Sequence, residues 1–320
     1  MIENLYTKCL RGHDIDDSDI ELILNTPLEE LLEYSYRLKK HFFADEISTC
    51  GIINAKSGLC SEDCIFCAQS AHHRTGTPVY PYIDIEEVRT HAARMAEAGV
   101  KRYAAVISGK SPNEHEFELL RQSVEIITSF GLDADISVGI LTEKQLLTLK
   151  ASGLKGYHHN LETSRSFFRN ICTTHEYDED VNAVKAAVKA GLYVCSGGIF
   201  GIGESWQHRV ELARELKAIG VQSVPINFLN PITGTPLEGT KPLPQEEALR
   251  IVALFRFMLP EKHVRVCGGR TLIFPGEEKG KLLKSGISGL MVGDYLVVKG
   301  EGLQSDMDAI NRHISAEKGL

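Results

Sequence analysis

The sequence predicts an α/β chain: a (β/α)8 TIM-type barrel with an N-terminal helical extension. Two observations predict it. Eight short β-rich runs alternate with amphipathic helical stretches, and strand–helix repetition within one domain-sized length closes a parallel sheet into a barrel. Several helical stretches also end on glycine, at Ala98-Gly99, Phe130-Gly131, Ser152-Gly153, Ala190-Gly191 and Ile219-Gly220. Glycine tolerates the left-handed turn that stops a helix.

Residues 1–45 carry Leu, Ile and Tyr at helical spacing in a polar background. Thr26-Pro27-Leu28-Glu29-Glu30 is a helix start, with Thr26 capping and Pro27 in the first turn. The expected division is a helical extension over 1–45 and a barrel with a C-terminal helix over 46–320. Strands are expected near 48–54, 102–107, 133–138, 156–161, 192–199, 222–228, 263–267 and 287–292. Helices are expected near 84–98, 113–129, 143–151, 179–190, 205–219, 243–259 and 277–284, with a last one near 304–316. An open doubly wound sheet is the alternative. No G-x-G-x-x-G opens a first helix, and Gly201-Ile-Gly203 is too short to specify a nucleotide.

With 320 residues and 43% apolar content, the chain is long enough to bury a sizeable core. A formal net charge of −8 argues against a nucleic-acid partner. The first residues show no basic stretch followed by an apolar one, and no apolar run reaches membrane-spanning length. A cytoplasmic protein with no membrane partner is therefore expected. The eight cysteines then serve as ligands or small core residues, since a reducing compartment disfavours disulfides.

Three of those cysteines carry the chemistry. Cys60, Cys64 and Cys67 stand in Cys-Ser-Glu-Asp-Cys-Ile-Phe-Cys, a C-x3-C-x2-C run. Three thiolates on one loop suit three corners of a cubane 4Fe-4S cluster and leave one iron open. An open iron can chelate S-adenosylmethionine and pass it an electron, so the radical chemistry belongs to the cofactor. A Cys3His zinc site completed by His72 or His73 is the competing reading. Asn160, Glu162, Cys195, Asn227, Arg265 and Cys267 fall on or just past later strands. Barrel active sites form at that end, so one chamber can receive them all.

These motifs resemble those of the biotin synthases, within the radical S-adenosylmethionine superfamily, over about residues 45–300. The resemblance rests on the cluster loop with its Gln69-Ser70 tail and on His159-Asn-Leu-Glu-Thr-Ser164. It rests also on Val194-Cys-Ser-Gly-Gly-Ile-Phe-Gly-Ile-Gly-Glu204 and on Val224-Pro-Ile-Asn227 followed by Gly234-Thr-Pro-Leu237. It implies conversion of dethiobiotin to biotin. A 5′-deoxyadenosyl radical abstracts hydrogen, and an auxiliary iron–sulfur cluster gives up the inserted sulfur. It also implies a flavodoxin- or ferredoxin-type electron donor and a homodimer.

The resemblance assigns roles residue by residue. Cys60, Cys64 and Cys67 would ligate the first cluster. Phe66 would lie against the adenine. Asn160 and Glu162 would bind the ribose and methionine parts of the cofactor, Glu162 replacing an Asp. His175 stands where several members carry an Arg that pairs with the cofactor carboxylate, and a neutral His would pair more weakly. Asn227 would hydrogen-bond the ureido ring of dethiobiotin, a duty Asn160 can share. An amide suits that ring because it both donates and accepts.

The sequence departs from the family at the sulfur source. The familiar auxiliary cluster is of 2Fe-2S type, held by three cysteines and an arginine. Two of those cysteines are here Ala104 and Asp135, while Cys195 and Arg265 remain. The expectation is a four-iron auxiliary cluster held by Cys172, Cys195 and Cys267 beside Arg265, with Cys9 and Cys50 structural. If Asp135 points inward, Arg265 is its expected partner. Two other functions compete. One is another radical enzyme, of the hydrogenase-maturation or methylornithine-forming type; the other is a non-catalytic metal-binding or redox-sensing protein.

Overall fold

Each β-rich run of the sequence places alternate side chains on opposite faces. A computed structural model describes residues 1–319. Its strands are β1 (Ser48–Lys56), β2 (Arg102–Ile107), β3 (Asp133–Ser137), β4 (Gly156–His158), β5 (Tyr193–Cys195), β6 (Gly198–Phe200), β7 (Ser223–Phe228), β8 (His263–Val266) and β9 (Gly289–Met291). All pair in parallel, in the order β5-β4-β3-β2-β1-β9-β8-β7-β6, and a β5–β7 pairing at Cys195 and Ser223 closes the ring.

The expected fifth strand is one barrel stave in two pieces, β5 and β6, broken at Ser196-Gly197. The backbones approach closely here and only glycine fits, since a Cβ at Gly197 would lie 2.1 Å from Pro225 O. The closed ring therefore has eight staves, a TIM-type barrel.

Helices follow the strands. The stretches expected at 84–98, 113–129, 143–151 and 205–219 form Ile85–Glu97, Glu114–Ser129, Glu143–Ala151 and Trp206–Ile219. Their starts carry side-chain caps from Asp84, Asn113, Thr142 and Ser205, which satisfy otherwise orphaned amides. The five glycines after helical stretches all take positive φ, from +67 to +108. One start differs. Thr26 donates its hydroxyl to Leu22 O at 2.7 Å and so closes the helix Asp17–Asn25, while the helix Leu28–Phe43 begins after Pro27.

The helices Ile2–Leu10, Asp17–Asn25 and Leu28–Phe43 bury Ile2, Leu5, Ile23, Leu31 and Leu38 in the common core. Arg250 Nη1 donates to Ile23 O and Thr26 O, each at 2.9 Å. The helix Gln245–Met258, which carries Arg250, is thereby covered on its outer side as well. That explains its run of buried residues from Ile251 to Met258.

The barrel interior is hollow where it matters. Along β3 the buried residues are Ala134 and Ile136, which face the helices, while Asp133, Asp135 and Ser137 are only half-buried. β1 repeats the pattern, with Cys50, Ile52 and Asn54 half-buried. The inward faces line a cavity rather than a packed core.

Candidate active site

The cysteine loop is tied at its base by the residues that follow it. Cys60 N donates to Gln69 O at 2.9 Å and Ala71 N to Cys60 O at 2.8 Å. Ser70 Oγ donates to Glu62 O at 2.6 Å, which gives the Gln-Ser tail a structural duty. All three thiols are free and half-buried. His72 Nε2 donates to Ser61 O and His73 Nε2 to Cys64 O, both at 3.0 Å, so these nitrogens brace the loop. Among the described residues, only Glu62, Cys172 and His175 bring three potential ligand atoms within 4.8 Å of one another. In a cubane each thiolate meets a different iron, so three thiolates on one loop suit three of its corners.

The segment after β4 docks onto this loop. Ile65 N donates to Ile171 O at 2.9 Å, and Asp63 accepts from Thr173 N at 2.8 Å. The docking brings Cys172 beside the triplet, with Sγ 3.2 Å from Asp63 Oδ1 and 3.3 Å from His175 Nδ1. The Cys64 thiol donates to Cys172, which holds Cys64 well above the usual thiol range and draws Cys172 down to about 5. Cys172 does not line the chamber that holds Cys195 and Cys267. The structure places Cys172 at the cysteine loop, whereas Cys195 and Cys267 line the chamber.

His175 lies between two carboxylates. Nδ1 donates to Glu62 Oε2 at 2.6 Å and Nε2 to Asp180 Oδ2 at 3.1 Å. Asp180 also accepts from His159 Nε2 at 2.7 Å. Burial disfavours the charged ring, but Asp180 and Cys172 outweigh it and lift His175 to about 11. These pairings favour the imidazolium over the neutral ring expected.

Above the strand ends, the loop Asn160–Glu162 is zipped onto β6. Gly197 N donates to Asn160 Oδ1 at 3.1 Å and Ile199 N to Glu162 O at 2.8 Å. Glu162 takes φ +62, a conformation few side chains adopt, so its surroundings over-determine it. Burial and nearby Asp180 push its carboxyl up to about 8. Asn160 and Glu162 line an upper compartment with Phe66, Cys67, Asn227 and Tyr295. Asn227 is held at both ends: Nδ2 donates to Gly198 O at 3.2 Å, and Oδ1 accepts from Gly268 N at 2.9 Å.

Below it lies a chamber inside the barrel. Strand register builds its wall. Cys50 pairs with Arg102, Ile52 with Ala104, Ala104 with Asp135, and Asp135 with Gly156. On the far side His158 pairs with Cys195, and Pro225 with Arg265. Period-two alternation then turns Cys50, Cys195, Arg265 and Cys267 into one space. The Cys50 and Cys267 thiols share a hydrogen bond that lowers Cys50 to about 7 and raises Cys267. Cys50, expected to be structural, is a chamber residue. Its position two residues before the chamber-facing Ile52 is the sequence signal that would have found it.

Asp135 points inward, but its partner is Arg102, not Arg265. Arg102 Nε and Nη2 donate to its two oxygens at 2.8 and 2.6 Å, and Nη1 donates to Asp133 at 3.0 Å. The guanidinium also lies 4.0 Å from the centre of the Tyr193 ring. Gly156 makes room for this pair, since a Cβ there would lie 2.2 Å from Asp135 Oδ1. Arg265 is buried and donates to Ser48 O at 2.8 Å and Ser48 Oγ at 3.1 Å. Arg102 carries a functional-site signal in the sequence, standing two residues before Ala104 on the same strand face.

Comparisons with known proteins agree with this geometry. Residues 56–216 match the Radical SAM superfamily model, and residues 225–313 match the Biotin and Thiamin Synthesis associated domain. A biotin synthase of Thermodesulfovibrio yellowstonii is 45% identical over 294 residues, 92% of each chain. One of Pelotomaculum thermopropionicum is 46% identical over 88% of each. Among solved structures, a methylornithine synthase superposes with a TM-score of 0.83 at 20% identity, covering 99% of this chain and 96% of that one. The FeFe-hydrogenase maturase of Carboxydothermus hydrogenoformans gives 0.81 at 18% identity, covering 100% of this chain and 78% of that one. At such identities the structural likeness speaks for the fold, whereas the sequence relatives speak for the family. The chain belongs to the biotin synthase family of radical S-adenosylmethionine enzymes.

Proposed function

We propose that this chain inserts sulfur into dethiobiotin to form biotin, using two groups of thiols at two depths of one barrel. The carrying observation is that separation. Cys60, Cys64 and Cys67 stand on the loop above the strand ends, while Cys50, Cys195 and Cys267 face each other across the chamber below. When bound, a 4Fe-4S cluster with S-adenosylmethionine supplies a hydrogen-abstracting radical, and an auxiliary iron–sulfur cluster supplies sulfide.

The donor sets suit both groups. Three free thiols in a chamber beside the buried Arg265 cation match the anionic charge of an iron–sulfur cluster. The replacement of two family cysteines by Ala104 and Asp135, with Cys50 and Cys267 present instead, favours a four-iron auxiliary cluster over a 2Fe-2S one. Asp135 and Arg102 neutralise each other at the chamber wall, which leaves Arg265 free to face the thiols.

In the upper compartment Phe66 offers its ring to the adenine, and Asn160 with Glu162 offers an amide and a carboxyl to the cofactor's polar groups. His175 spends both ring nitrogens on Glu62 and Asp180, so its part is to hold the cysteine loop against the segment after β4. Asn227 presents its remaining amide hydrogen and lone pair to the ureido ring, with Asn160 beside it. The walls hold the reactants and exclude water, which is the protein's part when a radical does the bond breaking. The division into a helical extension over 1–45 and a barrel over 46–320, a homodimer, a flavodoxin- or ferredoxin-type donor and a cytoplasmic setting complete the reading. No helix of the described residues is long and apolar enough to cross a membrane.

The test is anaerobic turnover of reconstituted protein with a reductant, S-adenosylmethionine and dethiobiotin, with iron and sulfide counted first. Biotin from protein holding more iron than one cubane supports the reading. Deoxyadenosine without biotin, at one cubane of iron, would move the chain to the methylornithine-forming or hydrogenase-maturation type of chemistry.

A further inference from the structure

The turn that closes the upper compartment carries an aromatic residue that lines both the upper compartment and the lower chamber. After β9 the backbone doubles back at Tyr295-Leu296-Val297-Val298. Tyr295 N donates to Val298 O at 2.9 Å, and Val298 N to Tyr295 O at 2.7 Å. Leu296 sits at the tip with φ +46, sparsely populated for a residue with a side chain, so the surroundings hold it there. Those surroundings include buried charge. Gly293 N donates to Asp306 Oδ2 at 3.0 Å, and Asp306 is paired with Arg270 at 2.6 Å. Gly300 N donates to Asp294 Oδ1 at 2.9 Å, which ties the two arms together.

The Tyr295 ring rests on bare backbone. A Cβ at Gly268 would lie 2.7 Å from Tyr295 Cε1 and 2.9 Å from Cζ, so only glycine leaves room for the ring. Gly268 N donates to Asn227 Oδ1, which joins the ring and the Asn227 amide into one surface. Tyr295, Leu296 and Asn227 line both the lower chamber and the upper compartment. Burial keeps the phenol neutral well above the ordinary range, and the groups that add to this come from both sides: Glu162 and Cys67 above, Cys267 below.

We propose that Tyr295 is a positioning residue for sulfur insertion, its ring being the wall that holds the substrate's reacting carbons between the two compartments. The inference rests on the sulfur-insertion reading above. A substrate in this reaction must face the hydrogen-abstracting side and the sulfur-bearing side in turn without leaving the site. A flat ring against Gly268, shared by both spaces and continuous with the ureido-binding amide, limits how far those carbons can swing. The ring, rather than the hydroxyl, is the working part, because a substrate alkyl chain packs on an aromatic face.

Wild-type protein is compared with Tyr295→Phe, Tyr295→Leu and Gly268→Ala, each with iron and sulfide counted. One readout is deoxyadenosine formed per biotin under reductant. The other is the calorimetric Kd for dethiobiotin with S-adenosylmethionine present and no reductant, where no turnover occurs. Tyr295→Phe is expected to keep both values. Tyr295→Leu should raise the deoxyadenosine-to-biotin ratio about tenfold and weaken dethiobiotin binding roughly tenfold. Gly268→Ala, which pushes the ring without removing it, should shift both in the same direction. A Tyr295→Leu protein with wild-type iron, ratio and affinity overturns the proposal, as does Tyr295→Phe losing coupling as fully as Tyr295→Leu. If Tyr295→Leu loads less iron, Gly268→Ala decides: an unchanged ratio overturns the proposal. Wild-type protein that makes deoxyadenosine but no biotin overturns the sulfur-insertion reading itself, which the mutant comparison alone does not.

Discussion

Replacing Asp135 with alanine should destabilise the protein by about 3 kcal/mol. In the native chamber wall the carboxylate accepts two hydrogen bonds from Arg102, at 2.8 and 2.6 Å, and both side chains are largely buried. Removing one partner of a buried pair costs about 3–5 kcal/mol because the other charge stays uncompensated. Asp133 still holds one guanidinium nitrogen at 3.0 Å, and the Tyr193 ring still faces the cation, so the lower end of that range applies. Unfolding entropy of about 2.1 cal/mol/K per residue gives about 0.7 kcal/mol/K for a chain of 320 residues. The expected fall in Tm is therefore about 4 °C, read by calorimetry at one fixed scan rate on reconstituted protein. Replacing Arg102 and Asp135 together with leucine should cost less than Asp135→Ala alone, since no buried charge is then stranded. A shift below about 1 °C for Asp135→Ala, or a double variant as damaged as the sum of the two singles, would refute this reasoning.

Other predictions follow from the same geometry. Cys50→Ser should lower auxiliary iron and leave the cofactor-binding cluster intact, whereas Cys172→Ser should leave auxiliary iron unchanged; iron analysis with electron paramagnetic resonance separates the two. His175 has a folded-state pKa near 11, above its unfolded value near 6.5. Its pairing with Asp180 and Cys172 thus contributes full stability below pH 6.5 and loses it as pH rises towards 11. The Tm gap between wild type and His175→Gln should accordingly shrink from pH 6 to pH 10, and a gap that widens would contradict it. Asn227→Ala removes a buried amide that bridges Gly198 and Gly268, and should weaken dethiobiotin binding roughly tenfold. Gly156→Ala should destabilise by about 1–3 kcal/mol, because its Cβ falls between Asp135 and Arg102.

Much of the fold was legible because strand and helix signals are local. The eight strand runs, the glycines that stop helices and the cysteine loop all depend on residues close in sequence. The cysteine assignments depended on long-range packing and were less legible. Cys172 was grouped with Cys195 and Cys267 because it follows β4, yet hydrogen bonds to Asp63 and Ile65 fold its segment back onto the cysteine loop. Cys50 shares a strand face with Ile52, but which face of β1 is inward depends on the long-range pairing of Ile52 with Ala104. Asp135 was given the wrong arginine because Arg102 reaches it diagonally, from the residue in register with Asp133. Tyr295 lies in a turn whose apolar run has no period to mark one face.

The most direct test of the two-compartment reaction is the origin of the inserted sulfur. Protein reconstituted with heavy-isotope sulfide is given unlabelled S-adenosylmethionine, dethiobiotin and reductant, and mass spectrometry follows the first biotin formed. Wild-type protein and Cys172→Ser protein with intact cofactor clusters should hold auxiliary iron and place the heavy isotope in biotin, while Cys50→Ser should lose both. Unlabelled biotin from wild type, or labelled biotin from Cys50→Ser at the wild-type level, would contradict a sulfur source in the Cys50, Cys195 and Cys267 chamber.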